Sequence, residues 1–356
     1  MNKKVLMSGN HIIGEAAVRA GCRFYAGYPI TPQNELTEYM ASAMARLSDG
    51  AFIQAESEIA AINMVIGASM AGCRAMTSSS SPGVSLKQEG ISFLSALELP
   101  AVIVNCMRGG PGLGNIAPAQ GDYFQATRGG GHGDYRNIVL APGSGQEISD
   151  LTTKAFEYAD TYRTPVMILQ DGMMGQMMEP VIFPDPVDPA KLPPKPWTLD
   201  GADGRPRRVI KSLWLDPLVE EALNWRLSAR YDEISRTIQS AESFMTSDAD
   251  LVVIAYGTAA RIAKGAVKRA RQNGLKVGLF RPVTLWPFPK DPLLEINKHV
   301  KDFLVFEMST GQMVEDVRLS LEGAGKVRFY GRPGGPISTP HEIEGEIKKI
   351  YEKINI

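Results

Sequence analysis

Between residues 8 and 170 the chain switches repeatedly between two hydrophobic periods, and few folds accommodate that. Helical patterns at about residues 12–20, 33–47, 58–70 and 147–158 are separated by short apolar runs at 23–26, 51–53, 75–77, 101–106, 138–140 and 166–169. Strands joined through helices cannot close as tight hairpins, so they must lie parallel, with helices on both faces of the sheet. The expected fold class is therefore α/β. In such a sheet, functional groups collect where strands end and loops begin.

The stretch from Gln54 to Met70 opens with two carboxylates, Glu56 and Glu58, and continues as a helix that is apolar on nearly every face. A helix of that kind is expected to have no solvated side. Glu58 falls in its first turn, where Ile59, Ile62, Val65 and Ile66 leave little room for water. Burial there is expected to raise its proton affinity and fit it for proton sharing. Glu56 reads as a helix-start charge that faces water and favours the macrodipole.

Three loops follow predicted strands: 27–32 (Gly-Tyr-Pro-Ile-Thr-Pro), 77–83 (Thr, four serines, Pro, Gly) and the glycine-rich 108–121. In the first, Thr31 is expected to cap the helix that begins near Gln33, in a loop whose backbone amides would also suit an anion. The serine run reads as a solvated turn unless its place after the Glu58 helix gives it a role. Arg108 serves either a surface salt bridge or a carboxylate clamp. The glycines at 109–114 are no dinucleotide fingerprint, because Asn115 to Pro118 follow where a helix should open. His132 has no serine or cysteine nucleophile near it in sequence and reads as a turn or interface residue.

With 356 residues there is room for two domains with their own cores. A net charge of -1, with 22% charged and 44% hydrophobic residues, gives no electrostatic reason to expect nucleic acid or a membrane surface. Cys22, Cys73 and Cys106 lack the spacing of a metal or cluster site, and their unpaired number points to a reducing compartment. Residues 1–8 are too poor in apolar side chains for a signal-peptide core, and no run is long enough to span a membrane. The expected location is the cytoplasm. Prolines 180, 184, 186, 189, 193, 194 and 196 mark an extended connector from about residue 179 to 211, and an amphipathic helix is expected over 217–244. A second α/β unit has strands at 250–258, 276–280 and 303–307. The expected domains are 1–180, a connector with bridging helix at 181–247, and 248–356.

With its Gly27-Tyr28-Pro29-Ile30-Thr31-Pro32 loop, its Glu56-Ser57-Glu58 helix, the run from Thr77 to Gly83 and Arg108-Gly109-Gly110-Pro111, the chain resembles the alpha subunits of the 2-oxoacid:ferredoxin oxidoreductases. Residues 253–258 and 281–288 look like the transketolase C-terminal-type domain of the same family. His11-Ile12 departs from the family's usual glutamate and alanine. The resemblance implies a pyrimidine-type thiamine diphosphate-binding domain followed by a transketolase C-terminal-like domain. It matches Glu58 to the glutamate that hydrogen-bonds the pyrimidine ring, places Pro29 beside that ring, and matches Thr31 and Arg108 to the residues that hold the substrate carboxylate.

The Gly-Asp-Gly loop that holds magnesium in thiamine enzymes is missing, as are cysteines for electron-accepting clusters, so no metal site is expected on this chain. By resemblance it is one part of a divided enzyme. A beta subunit would carry the diphosphate-binding domain with Mg2+, and [4Fe-4S] clusters would sit on partners. Gamma and ferredoxin-like delta subunits, coenzyme A as co-substrate and ferredoxin as electron acceptor complete the expectation. Apolar Leu113, Ile116 and Ala117 favour a branched-chain 2-oxoacid such as 3-methyl-2-oxobutanoate, with 2-oxoglutarate or pyruvate as alternatives. A non-oxidative thiamine-dependent decarboxylase or transketolase half, and a non-catalytic scaffold, are competing readings.

Overall fold

The computed structural model describes residues 4–354, so the first three residues of the amino-terminal start lie outside the described residues. In chain order the first unit comprises β1 (Val5–Ser8), α1 (Gly9–Arg19), β2 (Cys22–Gly27), α2 (Asn34–Met44), β3 (Ala51–Gln54), α3 (Glu58–Met70), β4 (Arg74–Ser79), α4 (Ser81–Ala96) and β5 (Ala101–Met107). It continues with α5 (Tyr123–Arg128), β6 (Ile138–Leu140), α6 (Gly145–Tyr162), β7 (Pro165–Asp171), α7 (Gly172–Gln176) and β8 (Met178–Val181). Strands β6, β7, β5, β4, β2 and β3 lie side by side in that order, all parallel. Strands β4, β5 and β7 are buried along their whole length, as strands covered on both faces must be.

Two expectations for this unit need correction. The serine run is not a turn: β4 extends through Ser79, and α4 starts at Ser81 with Pro82 in its first turn, where a missing N–H costs nothing. Helix α4 escapes the hydrophobic pattern because its buried stripe includes Lys87, Gln88, Ser92 and Ser95. Helix α3 does have a solvated side: Ala61, Ile62, Val65 and Ile66 are buried, whereas Ile59, Asn63 and Gly67 are exposed. The sheet and α4 cover only part of its circumference.

Strand β8 pairs antiparallel with β1, so Glu179 and Pro180 belong to a ribbon and the extended connector starts after it. A single 3-10 turn at Pro189–Lys191 interrupts that connector. Next come α8 (Pro217–Thr237), β9 (Ala241–Phe244), β10 (Leu251–Ile254), α9 (Gly257–Gln272), β11 (Val277–Pro282), β12 (Thr284–Trp286), α10 (Lys290–Asn297), β13 (Asp302–Glu307), α11 (Met313–Leu321), β14 (Lys326–Gly331) and α12 (Pro340–Ile354). The bridging helix thus stops at Thr237, and the last four residues expected in it, Ala241–Phe244, form β9. The second sheet has the order β14, β13, β10, β11, β9, with only β9 antiparallel.

The two units are sewn together. Strand β12 returns to the first sheet and pairs antiparallel with β6. Arg281 reaches Glu147 at 2.5 Å and Glu242 at 2.9 Å. Gln120 donates to the Tyr256 carbonyl at 2.9 Å and accepts from the Met308 amide at 3.0 Å. Thr258 donates to Asp171 at 2.8 Å. Among the described residues, no helix is long and apolar enough to cross a membrane.

Candidate active site

Strands β5, β4, β2 and β3 are neighbours, so the loops at their carboxyl ends share one rim of the sheet. Arg108 follows β5, Ser80 follows β4, the Pro29–Thr31 loop follows β2, and Glu58 opens the helix after β3. The fold therefore gathers Pro29, Thr31, Glu58 and Arg108 from four separate stretches of sequence.

Glu58 is buried, with 6% of its surface exposed, while Glu56 two residues earlier faces solvent. Ser57 caps α3 by accepting from the Ala60 amide at 3.2 Å, and the Ala55 amide donates to the Gly27 carbonyl at 2.9 Å. These bonds fix where Glu58 emerges relative to the Pro29 loop. Gly83, in the first turn of α4, lies so close that a Cβ there would collide with both Ser79 Oγ and Glu58 Oε1. No side chain bonds the Glu58 carboxylate among the described residues. Ser79 Oγ and Ser80 Oγ, at the end of β4, are buried without a partner. Buried polar atoms left open in one place indicate a binding site rather than a packed core.

Arg108 is 7% exposed. Its Nη1 donates to the Thr31 carbonyl at 2.9 Å and its Nη2 to the Leu113 carbonyl at 3.1 Å, while Nε is buried with no partner. It forms no ion pair among the described residues, which removes the surface salt bridge. The structure joins Arg108 to Thr31 directly, but Thr31 is not the helix cap: Gln33 holds that position, and Thr31 serves through its carbonyl. Below the Arg108 loop, Ser81 Oγ accepts from the Arg108 amide at 3.0 Å and donates to Asp122 at 2.5 Å. Asn105 also donates to Asp122, at 2.9 Å. Burial pushes the Asp122 carboxyl up from its ordinary proton affinity, against those two bonds.

Pro29 is exposed at the tip of its loop, and Leu113 and Ile116 are 81% and 66% exposed. Asn115 anchors the Arg108 loop to the second unit through the Gly334 carbonyl at 2.7 Å. Between them lies a cleft of about 430 Å³ lined by Ser81, Gly110, Gly112, Asp122, Thr310 and Gln312. His132 is exposed and meets Phe93 edge-on, with ring centres 6.1 Å apart. Asp171 caps α7 through the Met173 and Met174 amides at 3.0 and 3.2 Å, and burial raises its proton affinity too.

Sequence reasoning missed Lys87. Its Nζ is fully buried and donates to Thr77 Oγ1 at 3.1 Å and to the Glu58 carbonyl at 3.3 Å. Lys87 stands at the core positions Val84, Lys87, Gln88, Ile91 and Leu94 of α4, but with two polar residues among them the spacing is recognisable only once the helix is known.

An open buried carboxylate, a glycine that leaves room beside it and unpartnered hydroxyls suit a flat, hydrogen-bonding heterocycle. On this rim of a parallel sheet they are what a thiamine diphosphate-binding domain would present. The chain aligns with a split-gene transketolase at a TM-score of 0.60 and 14% identity, which shows the shared fold. Residues 15–209 match the family described as pyruvate flavodoxin/ferredoxin oxidoreductase, thiamine diphosphate-binding, and residues 249–343 match pyruvate:ferredoxin oxidoreductase core domain II. The chain is 47% identical to ketoisovalerate oxidoreductase subunit VorB of Methanothermobacter marburgensis, over 98% of this chain and 99% of that one. It is 37% identical to 2-oxoglutarate synthase subunit KorA of Methanothermobacter thermautotrophicus, over 98% and 100% of the two chains. The solved 2-oxoglutarate:ferredoxin oxidoreductase of Magnetococcus marinus, with 2-oxoglutarate, coenzyme A and succinyl-CoA bound, superposes with a TM-score of 0.87 at 27% identity. That match covers 98% of this chain and 66% of the solved one. The chain belongs to the 2-oxoacid:ferredoxin oxidoreductase family and is one subunit of such an enzyme.

Proposed function

We propose that this chain is the alpha subunit of a branched-chain 2-oxoacid:ferredoxin oxidoreductase, taking 3-methyl-2-oxobutanoate to its acyl-CoA, with ferredoxin as electron acceptor. Glu58 would hold the pyrimidine ring of thiamine diphosphate, with Pro29 beside it, and Thr31 and Arg108 would take the substrate carboxylate. Thiamine diphosphate, when bound, supplies the nucleophilic carbon that receives the 2-oxoacid. The chain's own residues do the rest from fixed positions. Glu58 exchanges a proton with a ring nitrogen, and Arg108 offers a desolvated guanidinium whose orientation is set by two backbone carbonyls. Partners would complete the enzyme: a beta subunit with the diphosphate-binding domain and Mg2+, [4Fe-4S] clusters outside this chain, and gamma and ferredoxin-like delta subunits. The working division is 1–180, 181–247 and 248–356, and the proposed location is the cytoplasm.

The observation that carries the substrate class is the composition of the loop after Arg108. No lysine or arginine follows until Arg128, and the intervening loop carries Leu113, Ile116 and Ala117. A dicarboxylate would need a second cation, because an unpaired charge in a dry site costs several kcal/mol, roughly. The test is ferredoxin or dye reduction by the assembled complex. It should show a higher kcat/KM for 3-methyl-2-oxobutanoate than for 2-oxoglutarate or pyruvate, and a preference for the dicarboxylate would reject the branched-chain assignment while leaving Glu58 untouched.

A further inference from the structure

The buried ammonium of Lys87 has no place in the reading above, yet burying a lysine is costly unless it does something. It projects from α4 into the layer between α3 and the sheet. There it ties Thr77 of β4, at 3.1 Å, to the carbonyl of Glu58, the first residue of α3, at 3.3 Å. Helix α4 also supplies Gly83, whose missing side chain makes room for the Glu58 carboxylate. One helix thus provides both the space for Glu58 and the clamp on its backbone.

We propose that Lys87 is a positioning residue for Glu58, holding the start of α3 so that the carboxylate is presented to the cofactor ring in one orientation. The inference rests on Glu58 being the cofactor-binding acid. Among the described residues Glu58 is the charged group that bears on the ammonium: from β4 it meets only the Thr77 hydroxyl, and Tyr25 of β2 is tied instead to Ser78 and Thr37. Burial brings the Lys87 ammonium down to about 8, against the pull of the Glu58 charge. Lys87 is then charged at neutral pH and loses its proton as pH rises through that value. Loss of the charge weakens the clamp, so turnover should fall as Lys87 loses its proton.

The experiment pairs Lys87→Met, which keeps the length and removes charge and donors, with Glu58→Gln. In the assembled complex, Lys87→Met should lower kcat about ten- to a hundredfold, the order of cost of displacing a catalytic group by an ångström. KM for the 2-oxoacid should stay within about twofold, because the Arg108 carboxylate clamp is untouched. The parent complex should lose kcat as pH rises through about 8, and the variant should not. A Lys87→Met complex that keeps both its kcat and its alkaline limb would overturn the proposal. If Lys87→Met does not fold, a carbon-13 titration of the Lys87 ε-carbon in the full-length chain decides. Glu58→Gln should lower the Lys87 midpoint, because the attracting charge is gone. An unchanged midpoint would overturn the positioning role. A shifted midpoint in a Glu58→Gln complex that is fully active would instead reject Glu58 as the acid, so the two failures are distinguishable.

Discussion

Glu58 and Glu56 are two residues apart, and the turn of chain between them decides which can do chemistry. Glu56 precedes the helix cap and faces water, while Glu58 points inward at Gly83 and Ser79. Glu58→Gln is nearly isosteric and should preserve the fold, but should slow turnover of the complex by about two to four orders of magnitude, the weight of a proton-transfer role. Glu56→Gln should change it far less, and equal losses in the two variants would refute the assignment. The burial of Glu58 was legible because the residues after it are apolar at helical spacing. The buried lysine beside it was not, because a lysine in a polar-looking run reads as surface until the helix is recognised. Arg108 was legible at the end of an apolar run, but its partners, the carbonyls of Thr31 and Leu113, are backbone atoms that carry no side-chain signature.

Helix α4 shows how an element can be hidden and still govern the site. Its buried face mixes Val84, Ile91 and Leu94 with Lys87, Gln88 and small residues, so no apolar stripe announces it. Helix α3 was legible to the residue, since its interior is nearly unbroken alanine and branched aliphatics between a capping Ser57 and the turn at Gly72. The two helices meet through glycines: Gly90 lies against Ile62 and Gly83 against Glu58, each with no space for a Cβ. Gly83→Ala should therefore leave secondary structure intact, because Ser79 Oγ and the Glu58 carboxylate are side-chain ends that can swing aside. The displaced carboxylate should cost about ten- to a hundredfold in kcat, measured in the complex beside a circular-dichroism spectrum of the variant chain. Full activity in Gly83→Ala would mean that the carboxylate position is not set by this contact.

At the scale of the whole molecule, the alternating periods made the parallel sheet legible, but not how the second unit is bound to the first. Strand β12 is three residues long and crosses from one sheet to the other, and its partner β6 is equally short. Pairings of that length at such sequence separation leave no local pattern. Each sheet nonetheless has helices over its buried strands, and Arg281, Thr258 and Gln120 lock the units together. The isolated chain should therefore be folded. Its site should not be complete, because the rim that carries Glu58 is open on one side. Leu113 is 81% exposed, Ile116 66%, Ile59 49% and Tyr28 38%, and these apolar side chains stand beside the proposed substrate and cofactor residues. Apolar exposure clustered around a polar site marks a surface that another chain covers. The Asp122 and Asp171 carboxylates are each tied through one oxygen, Oδ2 of Asp122 by Ser81 and Asn105 and Oδ1 of Asp171 by Thr258 and the α7 amides. The single subunit should thus bind thiamine diphosphate poorly and reduce no ferredoxin, with both properties appearing on addition of its partners. Calorimetry on the purified chain measures this directly, and magnesium-dependent affinity in the micromolar range without any partner would show that the chain holds the diphosphate itself.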